Sequence, residues 1–320
     1  MTVSGHRGRR VRALAVLGAA LLTLSVGCQV EDNGAPDGQH PFTGGAPASG
    51  PVLAVKIDNV RAARPQTGLD QADLVYVEQV ESGLSRLLAV YSGSLPEHIG
   101  PVRSAREADL ELLEQFGSPA LGYSGAQSAL LPDIAAAPLY PVAPENAPGA
   151  FERRPQRAAP HNLYLDPTAV LAAAPDADPP QDIGFRFGDA PEGGEPTPEY
   201  SVGFPNADFS FTWSGQEDRW LIGMDGTAAL TEQGDRLTAA TVVVQHVLIR
   251  PSELQDRWGN VTPYSETVGS GTAQVLRDGQ AFQATWERPD AGGGTEFTDP
   301  DGERLPFSEG PVWVVLAPAE

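Results

Sequence analysis

The sequence of 320 residues predicts an α+β protein in which an N-terminal mixed α/β domain is followed by a mainly antiparallel β domain. Residues 51–180 combine strands that alternate apolar and polar positions with a helix that has a recognisable start and stop. From residue 200 to 318 the apolar period becomes two, and Asp-Gly pairs mark turns. Residues 181–199 are rich in Pro, Gly, Asp and Glu, which indicates a linker between the two domains.

Three strands are expected early in the first domain, at residues 51–59, 74–80 and 84–91. The first is half-buried, with Lys56 and Asp58 on its polar face and Asn59 at its end. The third has few β-branched residues, so a helix at residues 84–91 is the alternative.

A helix is expected after these strands, because Ser104 and Glu107 have the spacing of a capping box and Gly117 supplies a stop. Asp109 falls in the middle of the apolar face of this helix, so its side chain should point inward.

Arg103 and Arg106 stand at the predicted helix start, where the helix dipole disfavours cations. Two guanidinium groups beside unpaired backbone amides favour an anion site. The alternative is that both arginines pair with nearby acids, of which Asp109, Glu78 and Glu81 are the candidates.

His161-Asn162 follows Pro160 at the entrance of another strand. The pair could be a general base with its orienting partner, a clamp for a ligand, or a structural hydrogen-bonding pair. The full predicted ligand-binding set is Lys56, Asp58, Asn59, Arg64, Arg103, Ser104, Arg106, Asp109, His161 and Asn162.

Seven strands are expected in the second domain, at residues 208–213, 219–224, 241–250, 272–277, 280–286, 295–299 and 312–317. All five tryptophans lie in this domain. They could form an aromatic platform for sugars, or they could pack in the core as large apolar rings usually do.

Composition narrows the function classes. The formal net charge of −21 argues against binding nucleic acid or anionic lipid through a broad basic surface. The single cysteine rules out a disulfide framework, and the five scattered histidines give no ligand spacing, so we expect neither a metal site nor a cofactor.

The N-terminus predicts export. Basic residues precede an apolar run of ordinary signal-peptide length in residues 1–27, and Leu24-Ser-Val-Gly-Cys28 is similar to a bacterial lipobox. We therefore expect Cys28 to be lipidated and to anchor the chain outside the bacterial cell membrane, with residues 28–50 as a disordered tether. The alternative is a secretory peptide with an incidental cysteine.

A resemblance extends over roughly residues 42–317. Six segments occur in the same order as in the YerB-like lipoprotein family: Ala54-Val-Lys-Ile-Asp-Asn59, Ala63-Arg-Pro-Gln-Thr-Gly-Leu69, Gln71-Ala-Asp-Leu-Val-Tyr76, Arg86-Leu-Leu-Ala-Val90, Gly100-Pro-Val-Arg-Ser-Ala-Arg106 and Ala159-Pro-His-Asn-Leu-Tyr164. The resemblance implies an extracytoplasmic lipoprotein with an N-terminal and a smaller C-terminal domain. It brings no activity, substrate or catalytic residue.

Three functional hypotheses follow. The first is an envelope lipoprotein that binds an anionic envelope ligand or an envelope protein at Arg103 and Arg106. The alternative is a hydrolase or transferase acting on cell-wall polymers, in which Asp58 or Asp109 and His161 transfer protons. In the third, the charged residues form an internal network that only stabilises the fold.

Overall fold

The computed structural model describes residues 1–5, 38–256 and 258–319. Most of the predicted signal peptide and the predicted lipidation site Cys28 lie outside the described residues, so both stay predictions. Residues 1–5, which belong to a separate N-terminal unit, have no regular secondary structure. The described residues from 38 onward belong to one compact unit.

Strands alternate with short helices in the first half of this unit. Its strands are β1 (Leu53–Asp58), β2 (Leu74–Gln79), β3 (Ser85–Tyr91), β4 (Ala120–Gly122), β5 (Tyr140–Val142), β6 (Phe151–Arg153) and β7 (Leu163–Leu165). Its α-helices are α1 (Glu107–Leu113), α2 (Leu131–Ala136) and α3 (Pro167–Ala173). Short 3₁₀ turns occupy Arg61–Ala63, Leu69–Gln71, Glu81–Gly83, Glu114–Phe116 and Pro148–Ala150.

The second half consists of strands joined mainly by tight turns. These strands are β8 (Glu195–Pro196), β9 (Glu199–Phe204), β10 (Ala207–Ser214), β11 (Arg219–Met224), β12 (Thr227–Ala228), β13 (Thr238–Ala239), β14 (Thr241–Val247), β15 (Ile249–Gln255), β16 (Val261–Ser265), β17 (Gly269–Arg277), β18 (Gln280–Arg288), β19 (Glu296–Thr298) and β20 (Val312–Pro318). The predicted α+β class is confirmed, with helix and strand mixed in the first half and mainly antiparallel strands in the second.

One large sheet runs through both halves, in the order β19-β18-β17-β14-β20-β2-β3-β1-β4-β5, with β8 added beside β18. Strand β20 lies between β14 and β2 and is parallel to both of them. A second sheet contains β9 to β13, while β15 pairs with β16 and β6 pairs with β7 as separate hairpins.

Apolar side chains cover both faces of the large sheet. On one face, Val75, Leu87 and Ala89 belong to a core shared with Phe211 and Trp220 of the second sheet. On the other face, the core contains apolar residues of β1, β2 and β3 together with the buried side of α1 and the aromatic residues of the second half. Burial on both faces explains why β3 reads as a nearly continuous apolar run, and the strand interpretation of residues 84–91 is confirmed.

Two segments that composition assigned to tether and linker are packed instead. His40 and Phe42 are buried, and the Phe42 ring packs edge-on against Phe116 at 5.3 Å between centroids. In the predicted linker, Ile183 and Phe185 are fully or almost fully buried. In both segments, a few buried side chains hold a stretch rich in Pro and Gly against the core. The predicted disordered tether therefore does not extend over residues 40–42.

Helix α1 begins later than the sequence predicts. It starts at Glu107 with Arg106 as its N-cap, and the Asp109 carboxylate accepts a hydrogen bond from the Arg106 amide at 2.6 Å. The predicted capping box of Ser104 and Glu107 is therefore wrong. The inward orientation predicted for Asp109 is confirmed by its complete burial.

Candidate functional site

Polar side chains collect at one end of the three strands β1, β2 and β3, on the face that α1 covers. Asp58 in β1 and Glu78 in β2 both stand opposite Arg86 in the intervening strand β3. Opposed residues of an antiparallel pair project on the same side of the sheet, so these three side chains share one face. Lys56 lies two residues before Asp58 and therefore points to the same side.

The innermost of these charges form a buried triad of Lys56, Glu78 and Asp109. The Lys56 ammonium lies 2.5 Å from Glu78 Oε2 and 2.6 Å from Asp109 Oδ1. Burial, followed by the neighbouring charge of Asp109, raises the pKa of Glu78 to about 7, although Lys56 opposes this shift. The triad explains why a lysine stands in a strand that otherwise contributes to the core.

The triad also fixes the start of α1. Asp109 Oδ1 is held by Lys56, and its second oxygen accepts the hydrogen bond from the Arg106 amide. This carboxylate therefore occupies an amide that the sequence analysis left for a ligand.

An open cleft of about 790 Å³ lies beyond the triad, at the ends of β1 and β3. Asp58, Arg86, Arg103, Arg106 and His161 line it from the first half of the unit. The hairpin of β15 and β16, with its connecting turn, lines it from the second half. Both halves of the chain thus build the walls of one cleft.

Asp58 is the hub of the first group in the cleft. Its Oδ2 atom lies 2.7 Å from His161 Nδ1 and 3.1 Å from Arg103 Nε. Asp58 is buried, whereas the side chains of Arg103 and His161 keep 24% and 22% of their surface exposed. A buried carboxylate therefore orients two partly exposed groups towards the cleft.

Glu81 is the hub of the second group. Its Oε2 atom accepts from Arg106 at 2.6 Å, and its Oε1 atom accepts from the Thr262 hydroxyl at 2.7 Å. Burial acts to raise the pKa of Glu81, but the hydrogen bond and charge of Arg106 outweigh it, so that this pKa is lowered. The alternative that both arginines pair with acids is therefore observed: Arg106 pairs with Glu81, one of the candidate acids, while Arg103 pairs with Asp58, which was not among them.

Arg86 is the functional candidate that the sequence analysis did not include. Its side chain is only 9% exposed, and one guanidinium nitrogen donates to the Ser104 carbonyl at 3.1 Å. Within the described residues, no carboxylate oxygen lies within 4.0 Å of an Arg86 nitrogen. Burial, followed by the positive charge of Arg106, lowers the pKa of Arg86 to about 9. The sequence signal was available: this arginine interrupts the apolar strand at residues 84–91.

The other predicted residues lie around the cleft without all lining it. Ser104 lines it and offers its carbonyl to Arg86 and Arg106. The others lie in neighbouring polar contacts: Asn59 donates to the Ser85 hydroxyl, Arg64 pairs with Asp225 at 2.9 Å, and Asn162 accepts from Arg153 at 2.7 Å.

Charged groups of both signs line the cleft. The three guanidinium groups line it together with the carboxylates of Asp58 and Glu81, and Asp256 adds a third carboxylate from the hairpin. The Asp256 carboxylate accepts hydrogen bonds within its own turn, and among the described residues no ion pair joins it to Arg86. The arginine side of the cleft therefore favours an anion, although the formal net charge of the whole chain is −21.

Together these features define a class of α+β protein in which one continuous sheet joins two halves and both halves wall a cleft that contains three arginines. The chain belongs to the DUF3048 family of proteins of unknown function. The N-terminal domain of this family matches residues 39–180, and its C-terminal domain matches residues 200–314.

A related protein and a solved structure agree with this assignment. The chain is 26% identical over 276 residues to the candidate lipoprotein YerB of Bacillus subtilis (strain 168), covering 83% of this chain and 81% of the relative. It is also similar to the crystal structure of the YerB protein from Bacillus subtilis, with a TM-score of 0.76 and 21% identity over 88% of this chain and 96% of the other. The structural similarity supports the fold.

Proposed function

We propose that this protein is a lipid-anchored envelope lipoprotein that binds an anionic envelope ligand in the cleft at Arg86, Arg103 and Arg106. The predicted leader and Cys28, together with the lipoprotein description of the Bacillus subtilis relative, support the location. Among the described residues, no helix is both long enough and apolar enough to cross a membrane.

Arg86 is the observation that carries the proposal. A buried guanidinium is normally neutralised by a carboxylate, because removing an ion from water is unfavourable. Arg103 and Arg106 each have such a partner, but among the described residues Arg86 has a backbone carbonyl instead. An anion in the cleft would supply the missing negative charge and would accept charge-assisted hydrogen bonds.

The two internal carboxylates support this role. Asp58 holds Arg103, and Glu81 holds Arg106, so each guanidinium is oriented before a ligand arrives. Fixing long side chains in advance reduces the entropy lost on binding. Their partial exposure leaves guanidinium surface available on the cleft side.

The direct test is calorimetric titration of the chain with inorganic phosphate and inorganic diphosphate. We expect saturable binding that weakens about tenfold or more in Arg86→Met, since a hydrogen bond to a charged group contributes about 1.5–3 kcal/mol. Arg219→Met is the matched control, because Arg219 donates to the neighbouring Asp218 carbonyl and does not line the cleft. Equal binding by both variants, or no binding by the parent chain, would contradict the proposal.

The contact between His161 and Asp58 favours one alternative, a hydrolase or transferase acting on cell-wall polymers. When Nδ1 carries the proton, it donates to Asp58 at 2.7 Å and Nε2 remains as the basic nitrogen. Asp109 does not share this role, because it is completely buried beside Lys56. The arginines would then hold the negative charge of the substrate.

A chromogenic phosphodiester tests this alternative. Catalysis predicts turnover by the parent chain that His161→Gln abolishes while phosphate affinity is retained. Equal hydrolysis by the parent chain and His161→Gln would leave binding as the function of the cleft.

A further inference from the structure

Trp258 differs from the other tryptophans in its surroundings. Trp220, Trp286 and Trp313 are buried, and Trp213 packs against Trp220 with 5.4 Å between ring centroids. Trp258 is 71% exposed and is the one aromatic residue in the exposed class within the described part of the chain. It lines the same cleft as the three arginines. An exposed indole beside a polar cleft is typical of a ligand contact.

The turn that carries Trp258 is held in place by hydrogen bonds. One Asp256 oxygen accepts from the amides of Trp258 and Asn260 at 2.8 and 2.9 Å, and the other accepts from the Asn260 side chain at 2.8 Å. The bond from the Asn260 side chain, aided by the two backbone bonds, lowers the pKa of Asp256. The backbone under the indole is therefore organised before any ligand binds.

The same hairpin is attached to the floor of the cleft. Thr262 in β16 donates to Glu81, which in turn holds Arg106, and the Gln127 side chain donates to the Gln255 carbonyl. Glu81 thus joins the aromatic rim and the cationic floor through one side chain.

Neutral hydrogen-bonding groups line the cleft together with the indole and the arginines. Their side chains are amides and hydroxyls, from Gln127, Ser128, Gln255 and Asn260. Such groups can both donate to and accept from the hydroxyl groups of a sugar, whereas a fully ionised inorganic anion uses only their donors.

We infer that the ligand is an anionic saccharide, which places its phosphate or carboxylate group at Arg86, Arg103 and Arg106 and one sugar ring against the indole of Trp258. This inference rests on the proposed function, which requires only the anionic group. The strongly acidic chain repels long polyanions, so a saccharide with its charge concentrated at one group suits the cleft best.

The test compares ligands that differ by one part. Calorimetric titrations use inorganic phosphate, glucose 1-phosphate, acetate, glucuronate, glucose and uridine 5′-phosphate. We expect a sugar ring to strengthen binding about tenfold over the matching bare anion, which corresponds to the upper range of aromatic contacts. The glucose 1-phosphate and glucuronate arms distinguish a phosphate from a carboxylate as the charged group.

Trp258→Ala separates this inference from the proposed function. It should abolish the advantage of the sugar and leave phosphate affinity unchanged, and Leu248→Ala, an exposed apolar residue outside this cleft, should change neither. Binding of a saccharide should also protect indole fluorescence from acrylamide quenching in the parent chain.

The outcomes are distinct. Equal affinity for phosphate and glucose 1-phosphate overturns the saccharide inference and leaves the proposed function standing. Tighter binding of uridine 5′-phosphate than of glucose 1-phosphate overturns it in favour of a nucleobase stacked on the indole. Absence of binding of both phosphate and acetate overturns both proposals.

Discussion

Two groups of charges lie on the same face of the same sheet, and they are completed in different ways. In the triad, Lys56 is enclosed by two carboxylates at 2.5 and 2.6 Å, and all three side chains are buried. In the cleft, Arg86 donates to a backbone carbonyl and has no carboxylate within 4.0 Å among the described residues, while Arg103 and Arg106 remain partly exposed. The first group is enclosed within the protein, and the second leaves one buried guanidinium at an open cleft without a carboxylate partner.

We expect the triad to contribute mainly to the stability of the fold and the cleft arginines mainly to ligand binding. Charges that satisfy one another inside the protein hold β1, β2 and α1 together and have no surface for a ligand. Charges that are oriented at an open cleft, where one of them lacks a carboxylate partner, contribute less to folding and more to recognition. Substitutions in the two groups should therefore have opposite signatures, and the following predictions proceed from the largest expected effect to the smallest.

Lys56→Met should be the most destabilising change. It leaves Glu78 and Asp109 buried without their common cation, and breaking a buried ion pair in this way typically lowers the free energy of unfolding by about 3–5 kcal/mol. Urea denaturation measures this loss. Adding Glu78→Gln to Lys56→Met should restore part of the lost free energy of unfolding. A loss below about 1 kcal/mol in the Lys56→Met variant would show that the triad does not stabilise the fold.

Arg86→Met should show the reverse pattern. Phosphate affinity should fall about tenfold, while the free energy of unfolding should change by less than about 1 kcal/mol, since the variant loses one hydrogen bond but also removes an uncompensated buried charge. Calorimetry and urea denaturation on the same preparation measure both quantities. A large loss of stability with unchanged affinity would place Arg86 with the triad.

The pH dependence of stability should report on Glu78. Its pKa is raised from 4.5 to about 7, so the folded chain holds this proton more tightly than the unfolded chain does. The resulting stabilisation is complete below the unfolded value and is lost as the pH rises through about 7. Urea denaturation at several pH values should show that Glu78→Gln flattens this part of the profile, while Glu253→Gln, at an exposed position, leaves it unchanged.

Salt should have the mildest effect and should act on the two groups unequally. Raising the ionic strength from about 0.1 M to about 1 M shortens the Debye length from about 10 Å to about 3 Å and screens exposed charges more than buried ones. Phosphate affinity should therefore fall, whereas the stability difference between the parent chain and Lys56→Met should hardly change. Similar responses of both quantities would contradict the distinction drawn here.

Much of the fold could be predicted from periodicity, because many strands show their alternation or their apolar run directly in the sequence. The runs at 51–59 and 74–80 and the hairpin of β17 and β18 are of this kind. The hairpin of β15 and β16 was missed or merged, because exposed strands rich in Glu, Ser and Pro lack an apolar period. Strand β9 was missed although Tyr200, Val202 and Phe204 alternate with polar or small residues.

The site was predicted less completely, for a physical reason. Asp58 and His161 are 103 residues apart in the sequence, and only the folded sheet brings them to 2.7 Å. Arg86 interrupts an apolar strand, but its importance comes from having no carboxylate within 4.0 Å among the described residues, and a sequence cannot show which acids form ion pairs. Asp109 was predicted to point inward, but its partner Lys56 comes from a strand 53 residues earlier.

The position of β20 has a consequence for the order of assembly. This strand, Val312–Pro318, is inserted between β2 and β14, so neither of those strands has its full set of neighbours until residue 312 and beyond have emerged. During synthesis from the N-terminus, the edges of β2 and β14 that pair with β20 would stay open after each strand is made. Both edges would be covered only when β20 pairs with them. The large sheet can therefore be completed only when residues 312–318 are available, in whatever order the other strands pair.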